Sequence, residues 1–243
     1  MLIVSSGMQK SGTAYFYNIL NDLIKSAGEN DARILKEEYN LGKLLKWRNN
    51  NVDGISGKEL LKLVLISRKK GIFAVKTHYA NRRPFIYLLK LGIIKVIYSY
   101  RDPRDVILSA MDHGRKLLAA GDNSTFAKMT DTDEALKYVS SWIKDWKAFS
   151  KKDDIYKYKY EDLISDPERI LDEVMNFIDI NVSHEKVREI LYRYNPDNPE
   201  MPGGRLHFNK AVIYRYKTEM SENDLMKIND AIGNEIINMG YLI

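Results

Sequence analysis

The chain opens on a short apolar run, Leu2 to Ser5, that passes directly into Gly7-Met8-Gln9-Lys10-Ser11-Gly12-Thr13 and then into a helical pattern. Phe16, Ile19, Leu20, Leu23, Ile24 and Ala27 fall at the spacing of one buried helix face. A glycine-bearing loop between a strand end and a helix N-terminus restricts the chain to folds in which strands feed helices across a sheet. The same junction suits an anion. The first helical N–H groups have no carbonyl partner, the helix dipole adds partial positive charge, and two glycines allow close approach of backbone to phosphate oxygens. Lys10 supplies a full charge.

Four residues separate Gly7 from Gly12, as in a Walker A loop, but that motif places lysine directly after the second glycine. Thr13 stands there in this chain, and the lysine lies two residues upstream. Taken alone, the loop also reads as a tight strand-to-helix turn with a surface lysine.

With 243 residues, 44% hydrophobic and 29% charged, the chain can bury a sizeable core and is expected to form one domain over residues 1–243. It has no cysteine, and its four histidines lack metal-site spacing, so neither a disulfide framework nor a metal is expected. A reducing, cytoplasmic setting fits. The first strand starts at residue 2, which leaves no room for a leader, and Lys90 and Lys95 interrupt the apolar stretch from Phe85 to Tyr100. That stretch reads as a helix and a buried strand of a soluble protein with no membrane partner. A net charge of +5 suits an anionic ligand but falls short of a nucleic-acid signature.

Further along, the pattern predicts a helix over Lys58 to Lys69, a strand from Ile72 to Val75 ending in Lys76-Thr77-His78, and a strand from Ile93 to Tyr98 leading into Arg101. Asp102 and Pro103 form a natural N-cap and first position of the next helix. Val106, Ile107, Ala110, Met111, Leu117 and Leu118 are its expected buried face. Later helices are expected over Asp133 to Ser150, Pro167 to Ile178, His184 to Tyr194 and Glu222 to Met239, with a strand near Ile155 to Tyr158. Strands alternating with helices imply an α/β fold with a mostly parallel, doubly wound sheet, a three-layer α/β/α architecture like that of P-loop NTPases. Ligands in such folds gather at the carboxyl ends of the strands. Those ends carry the first loop, Lys76 with His78, Arg101 and Tyr160.

Together these strand-end residues resemble the sulfotransferase family that uses 3′-phosphoadenosine 5′-phosphosulfate (PAPS) and releases adenosine 3′,5′-bisphosphate (PAP). Lys10-Ser11-Gly12-Thr13 resembles that family's 5′-phosphosulfate loop, and Arg101 followed by Ser109 resembles its 3′-phosphate site. Lys76-Thr77-His78 is similar to its Lys-Thr-His segment. Tyr160-Glu161-Asp162-Leu163 with Asp166-Pro167 is similar to its strand and turn bearing a tyrosine near the nucleotide. Ala14 replaces a hydroxyl residue after the loop threonine, and Tyr15 stands where an aromatic stacks near adenine. His207-Phe208-Asn209-Lys210-Ala211 matches the Arg-Lys-Gly segment loosely, with Lys210 the residue carried over.

PAPS has two anionic ends and needs two phosphate sites, and two strand-to-helix turns offer them. The resemblance assigns the 3′-phosphate to Arg101, a charge-assisted fork, and to Ser109. Lys10 would neutralise the phosphate that departs as the sulfuryl group transfers, and Lys76 would sit near the transferring group. A neutral imidazole suits removal of the acceptor's proton, so His78 is the expected base. His113 is expected on a helix surface. Gly28 to Gly57 and Gly114 to Thr132 are the expected walls and lid of an acceptor cleft, and Trp47, Tyr39, Phe85 and Tyr79 read equally as aromatic lining for a small molecule bearing a hydroxyl or amine or as core. One rival is a P-loop kinase, for which Asp102 and Asp162 are candidate magnesium carboxylates. Another is a non-catalytic binder of acidic polymers, suggested by Tyr156-Lys157-Tyr158-Lys159-Tyr160 and Tyr214-Arg215-Tyr216-Lys217.

Overall fold

A computed structural model describes residues 1–47, 49–195, 197–198 and 212–243. The segment around Lys210, with His207, Asn209 and Ala211, lies outside the described residues.

Four strands, β1 (Leu2–Gly7), β2 (Phe73–Lys76), β3 (Ile94–Tyr100) and β4 (Tyr156–Lys159), form one sheet in the order β2-β1-β3-β4. Every pairing is parallel. The connecting helices in chain order are α1 (Thr13–Ser26), α2 (Ala32–Glu38), α3 (Gly57–Lys70), α4 (Arg83–Lys90), α5 (Pro103–Ala119) and α6 (Thr132–Ser150). After β4 come α7 (Tyr160–Ser165), α8 (Pro167–Ile178), α9 (His184–Arg193), α10 (Tyr216–Glu219) and α11 (Glu222–Asn238). This is the three-layer α/β architecture expected from the alternation of strands and helices.

Strand periodicity divides the core in two. Leu2, Val4, Val75, Val96 and Tyr98 face one layer with side chains of α3, α4, α5, α6 and α11, while Ile3, Ala74 and Ile97 face the other with α1, α8 and α9. Because both faces are covered, β1 is buried along its whole length. Helix α1 is buried around most of its circumference, including Tyr15 and Tyr17 off the expected stripe, because it is wedged between β2 and α9.

Several expectations are corrected. Leu118 is not on the buried face of α5 but largely exposed. Gly114 packs against the carbonyls of Phe126 and Met129, and most of the helix beyond it is exposed. Tyr160 is the first residue of α7 and not part of a strand, since β4 runs into that helix with no intervening breaker. Phe85 and Tyr39 pack into or against the hydrophobic core and do not line a cleft. Helix α2 had no periodic signal because only Ala32 and Leu35 of its seven residues are buried; its start is held by Asp31, which accepts from the Arg33 N–H and side chain.

Asp102 caps α5 as expected, accepting from the Arg104 N–H at 3.0 Å. Its carboxylate is also engaged by the Arg104 guanidinium at 3.0 and 2.7 Å. The turn after β3 is thereby fixed, and Arg101 is set at its head.

Candidate active site

The carboxyl ends of β1, β2 and β3 open into one cavity of about 1040 Å³. Its floor is the first loop. Gly7 lies so close to β3 that an added Cβ would sit 2.2 Å from Ser99 Oγ, and the Met8 N–H donates to the Ser99 carbonyl at 2.9 Å. Ser11 is fully buried, its hydroxyl bonded to the Met8 carbonyl and 2.9 Å from Ser99 Oγ. The Ser11 side chain therefore ties the loop to β3, and Ser11 is not among the residues lining the cavity. Lys10 and Gly12 both have positive φ, 66° and 73°. At Gly12 a Cβ would also meet the Tyr160 ring at 2.6 Å, so glycine is required there twice over.

Helix α1 begins at Thr13 with no side-chain cap, which leaves its first N–H groups for a ligand. Gly12, Thr13, Ala14 and Tyr15 line the cavity beside Lys10. Burial, together with the nearby Arg101 and Lys116 and against the pull of Asp112, lowers the Lys10 ammonium to about 8. A group so placed gains most from an anionic partner.

At the end of β2, Lys76 Nζ lies 2.8 Å from His78 Nε2, and His78 Nδ1 lies 3.1 Å from the Gly7 carbonyl. A carbonyl can only accept, so Nδ1 carries the proton and Nε2 accepts from Lys76. Burial and Lys76 push the imidazole down to about 4, offset in part by the Gly7 hydrogen bond and Asp53. Burial brings the Lys76 ammonium to about 8 against the pull of Asp53. Asp53 was missed in the sequence. It accepts from Thr77 Oγ1 at 2.8 Å and from the His78 N–H at 2.9 Å, bonds that hold its carboxyl below the usual range although burial alone would raise it. Aspartate next to Gly54 reads as turn chemistry, and nothing in the spacing indicated that the turn reaches β2.

Arg101 stands on a third wall. Its guanidinium lies 4.6 Å from the centre of the Tyr160 ring, and Nη2 donates to Asp105 and to the Val212 carbonyl, each at 2.9 Å. The ion pair with Asp105 uses part of the fork. The buried Nε has no partner among the described residues, so donor capacity remains. Ser109 lies two turns along α5 and lines the same cavity. His113, one turn after Ser109 and half-buried, does too, edge-on to Phe126 with ring centres 5.1 Å apart, so it faces the cavity and not the open helix surface. Arg215, read in the sequence only as part of a basic and aromatic run, is buried, lines the cavity and pairs with Asp112 at 2.8 Å and Glu219 at 2.7 Å.

The remaining walls come from the two expected segments. Trp47, Asn49, Asn51 and Asp53 lie on one, and Ser124, Thr125, Phe126 and Met129 on the other, with Tyr79, Tyr138 and Trp142 between. Among the described residues no group of three histidine or acidic side chains could hold a metal ion. Asp102, a magnesium candidate on the kinase reading, is turned into its own helix cap and lies outside the cavity lining.

The sequence model of the sulfotransferase domain matches residues 2–200, and the chain belongs to that family. Solved structures with similar folds include the mouse sulfotransferase SULT7A1 complexed with PAP, at a TM-score of 0.67 and 17% identity over 98% of this chain and 85% of that one. Retinol dehydratase in complex with androsterone and inactive cofactor PAP gives 0.58 and 18%, over 97% and 80%. The sulfotransferase domain from the curacin biosynthetic pathway gives 0.55 and 15%, over 100% and 98%.

Proposed function

We propose that this protein transfers a sulfuryl group from PAPS to a hydroxyl, or an amine, of a small acceptor, with His78 as base and without a metal ion. The observation that carries the reading is the coexistence in one cavity of two cationic ends, Lys10 with the open N-terminus of α1 and Arg101 with an Nε that has no partner among the described residues, flanked by the Lys76–His78 pair. Neighbouring folds bind PAP in their crystals, and a donor with phosphate at both ends fits the two cationic ends here. The aromatic residues Trp47, Tyr79 and Trp142 suit a ring-bearing acceptor. With no cysteine and no helix among the described residues long and apolar enough to cross a membrane, a cytoplasmic setting fits.

In the transfer, the acceptor oxygen forms a bond to sulfur as the bond from sulfur to the bridging phosphate oxygen breaks. PAP leaves with that electron pair. The acceptor's proton passes to His78 Nε2, which requires Lys76 to release that nitrogen; its ammonium is then free for the transferring group or the bridging oxygen. Bound nucleotide anions offset the repulsion from Lys76 and Lys10 that depresses the imidazole, making His78 a stronger base in the complex than in the free protein.

Calorimetric titration with PAP in EDTA, compared with ATP and Mg²⁺, tests the assignment. Tight PAP binding with little ATP binding is expected, and Arg101→Ala should weaken it by about tenfold or more through loss of a charge-assisted fork. A preference for ATP with Mg²⁺ would instead make the protein a phosphotransferase.

The cavity charges also set a pH dependence. His78 must be neutral and Lys10 and Lys76 protonated, so kcat/KM should be flat between about 4 and about 8 and fall above about 8 as the lysines lose their protons. In kcat the alkaline limb should lie higher, because bound phosphate favours the charged lysines. A kcat/KM that keeps rising beyond that point would contradict the roles given to both lysines.

A further inference from the structure

Helices α3 and α4 pack side by side in the layer over β1 and β3 and carry seven Lys and Arg against one Glu. The whole chain has a net charge of only +5. The chain's excess positive charge is therefore gathered on a single wall. Of those cations Lys70 pairs with Glu38; Lys58, Lys62, Arg68, Lys69, Arg83 and Lys90 have no ion pair among the described residues.

The same wall exposes large apolar side chains. Leu61 and Leu65 are 49% and 56% exposed on α3, and Tyr87 on α4 and Leu91 at its C-terminal cap are 65% and 54% exposed. Each pair is spaced i, i+4, so on each helix the two side chains lie on one outward stripe, opposite the buried Leu60, Leu63 and Val64 or Phe85 and Leu89. Lysines and arginines separate these apolar residues, as in Lys58, Leu61, Lys62, Leu65, Arg68, Lys69. A protein interface needs a contiguous apolar centre from which water is excluded, and a nucleic-acid backbone gains nothing from leucine. Interleaved apolar and long cationic side chains fit the lipid interface, where leucine and tyrosine enter the headgroup region and the cations extend to phosphates.

We propose that the α3–α4 wall docks on an anionic lipid surface. Its position relative to the cavity agrees with this. The N-caps of α3 and α4, Ser56 and Arg82, follow the cavity residues Asp53 and Tyr79 by three positions each, and the cavity residue Trp47 is 68% exposed. Docking therefore brings the cavity rim close to the surface. The negative potential of a cytoplasmic leaflet supplies the matching charge.

Co-sedimentation with phosphatidylcholine vesicles, with and without phosphatidylserine, tests the proposal on the full chain. Binding to the phosphatidylserine vesicles that disappears at high salt, with none to pure phosphatidylcholine, is expected. Lys62→Ser with Lys69→Ser should weaken it by about twentyfold, and Leu65→Glu with Tyr87→Glu should abolish it. All four side chains are exposed, so PAP affinity and melting temperature should be unchanged in both variants. The proposal is overturned by absence of binding at low salt. It is equally overturned by binding that survives both double variants, or by a dimer in solution that Leu65→Glu dissociates, since the wall would then belong to a second copy of the chain.

Discussion

Replacing His78 by alanine is expected to lower turnover by about 10²- to 10⁴-fold, the range for loss of a positioned general base, with PAP affinity nearly unchanged. The imidazole touches Lys76 and the Gly7 carbonyl, and neither bond is to the Arg101 wall that would hold the 3′-phosphate. A purely structural histidine would also show a loss if its removal let the loop relax, so glutamine is the sharper substitution. Its amide can donate to the Gly7 carbonyl and accept from Lys76, preserving both contacts, yet it cannot take a proton. His78→Gln should therefore melt like the parent and remain inactive. Recovery of activity in that variant, or equal loss of PAP affinity in the His78→Ala and Arg101→Ala proteins, would remove His78 from the role of base.

The architecture was readable because the central strands are covered on both faces and so appear as apolar runs, Leu2 to Ser5 and Ile94 to Ile97 being interrupted only by Lys95, whose ammonium reaches the Phe177 carbonyl, while the half-buried edge strand β4 reads as the alternation Tyr156-Lys157-Tyr158-Lys159. Helices with a full apolar stripe, such as α8, were placed to the residue. What escaped lay where function does not need periodicity. Asp53 acts through a turn twenty-five residues away from His78 in sequence, and Arg215, which lines the cavity, pairs with Asp112 across an even larger separation. Such contacts are set by tertiary packing and leave no local pattern. Ser11 carries a further contact that the loop motif does not announce: in the turn with Lys10 and Gly12 its hydroxyl bonds to β3. The basic wall was similarly hidden: +5 is a weak field when spread over a surface, and its concentration on α3 and α4 emerges only once those helices lie together in the layer over β1 and β3.

Substituting Lys10 by methionine should reduce turnover by about 10²- to 10³-fold, the scale of a single lost group that stabilises developing charge. Methionine keeps most of the side-chain length and removes the ammonium, and position 10 retains its left-handed backbone in either protein, so the comparison isolates the charge. The loss should fall on kcat more than on KM. The bridging oxygen carries its full negative charge only as the bond to sulfur breaks, and an interaction that strengthens in the transition state appears in kcat. A second effect separates this role from simple anion binding. Lys10 is one of the cations that depress the His78 imidazole; without it the imidazole is easier to protonate, and the acid limb of the residual activity should move to higher pH. The alkaline limb should lose the component contributed by Lys10 and follow Lys76 alone. Near-normal turnover in the methionine variant, or a loss confined to KM, would show that the loop lysine only gathers the nucleotide and takes no part in the departure of PAP.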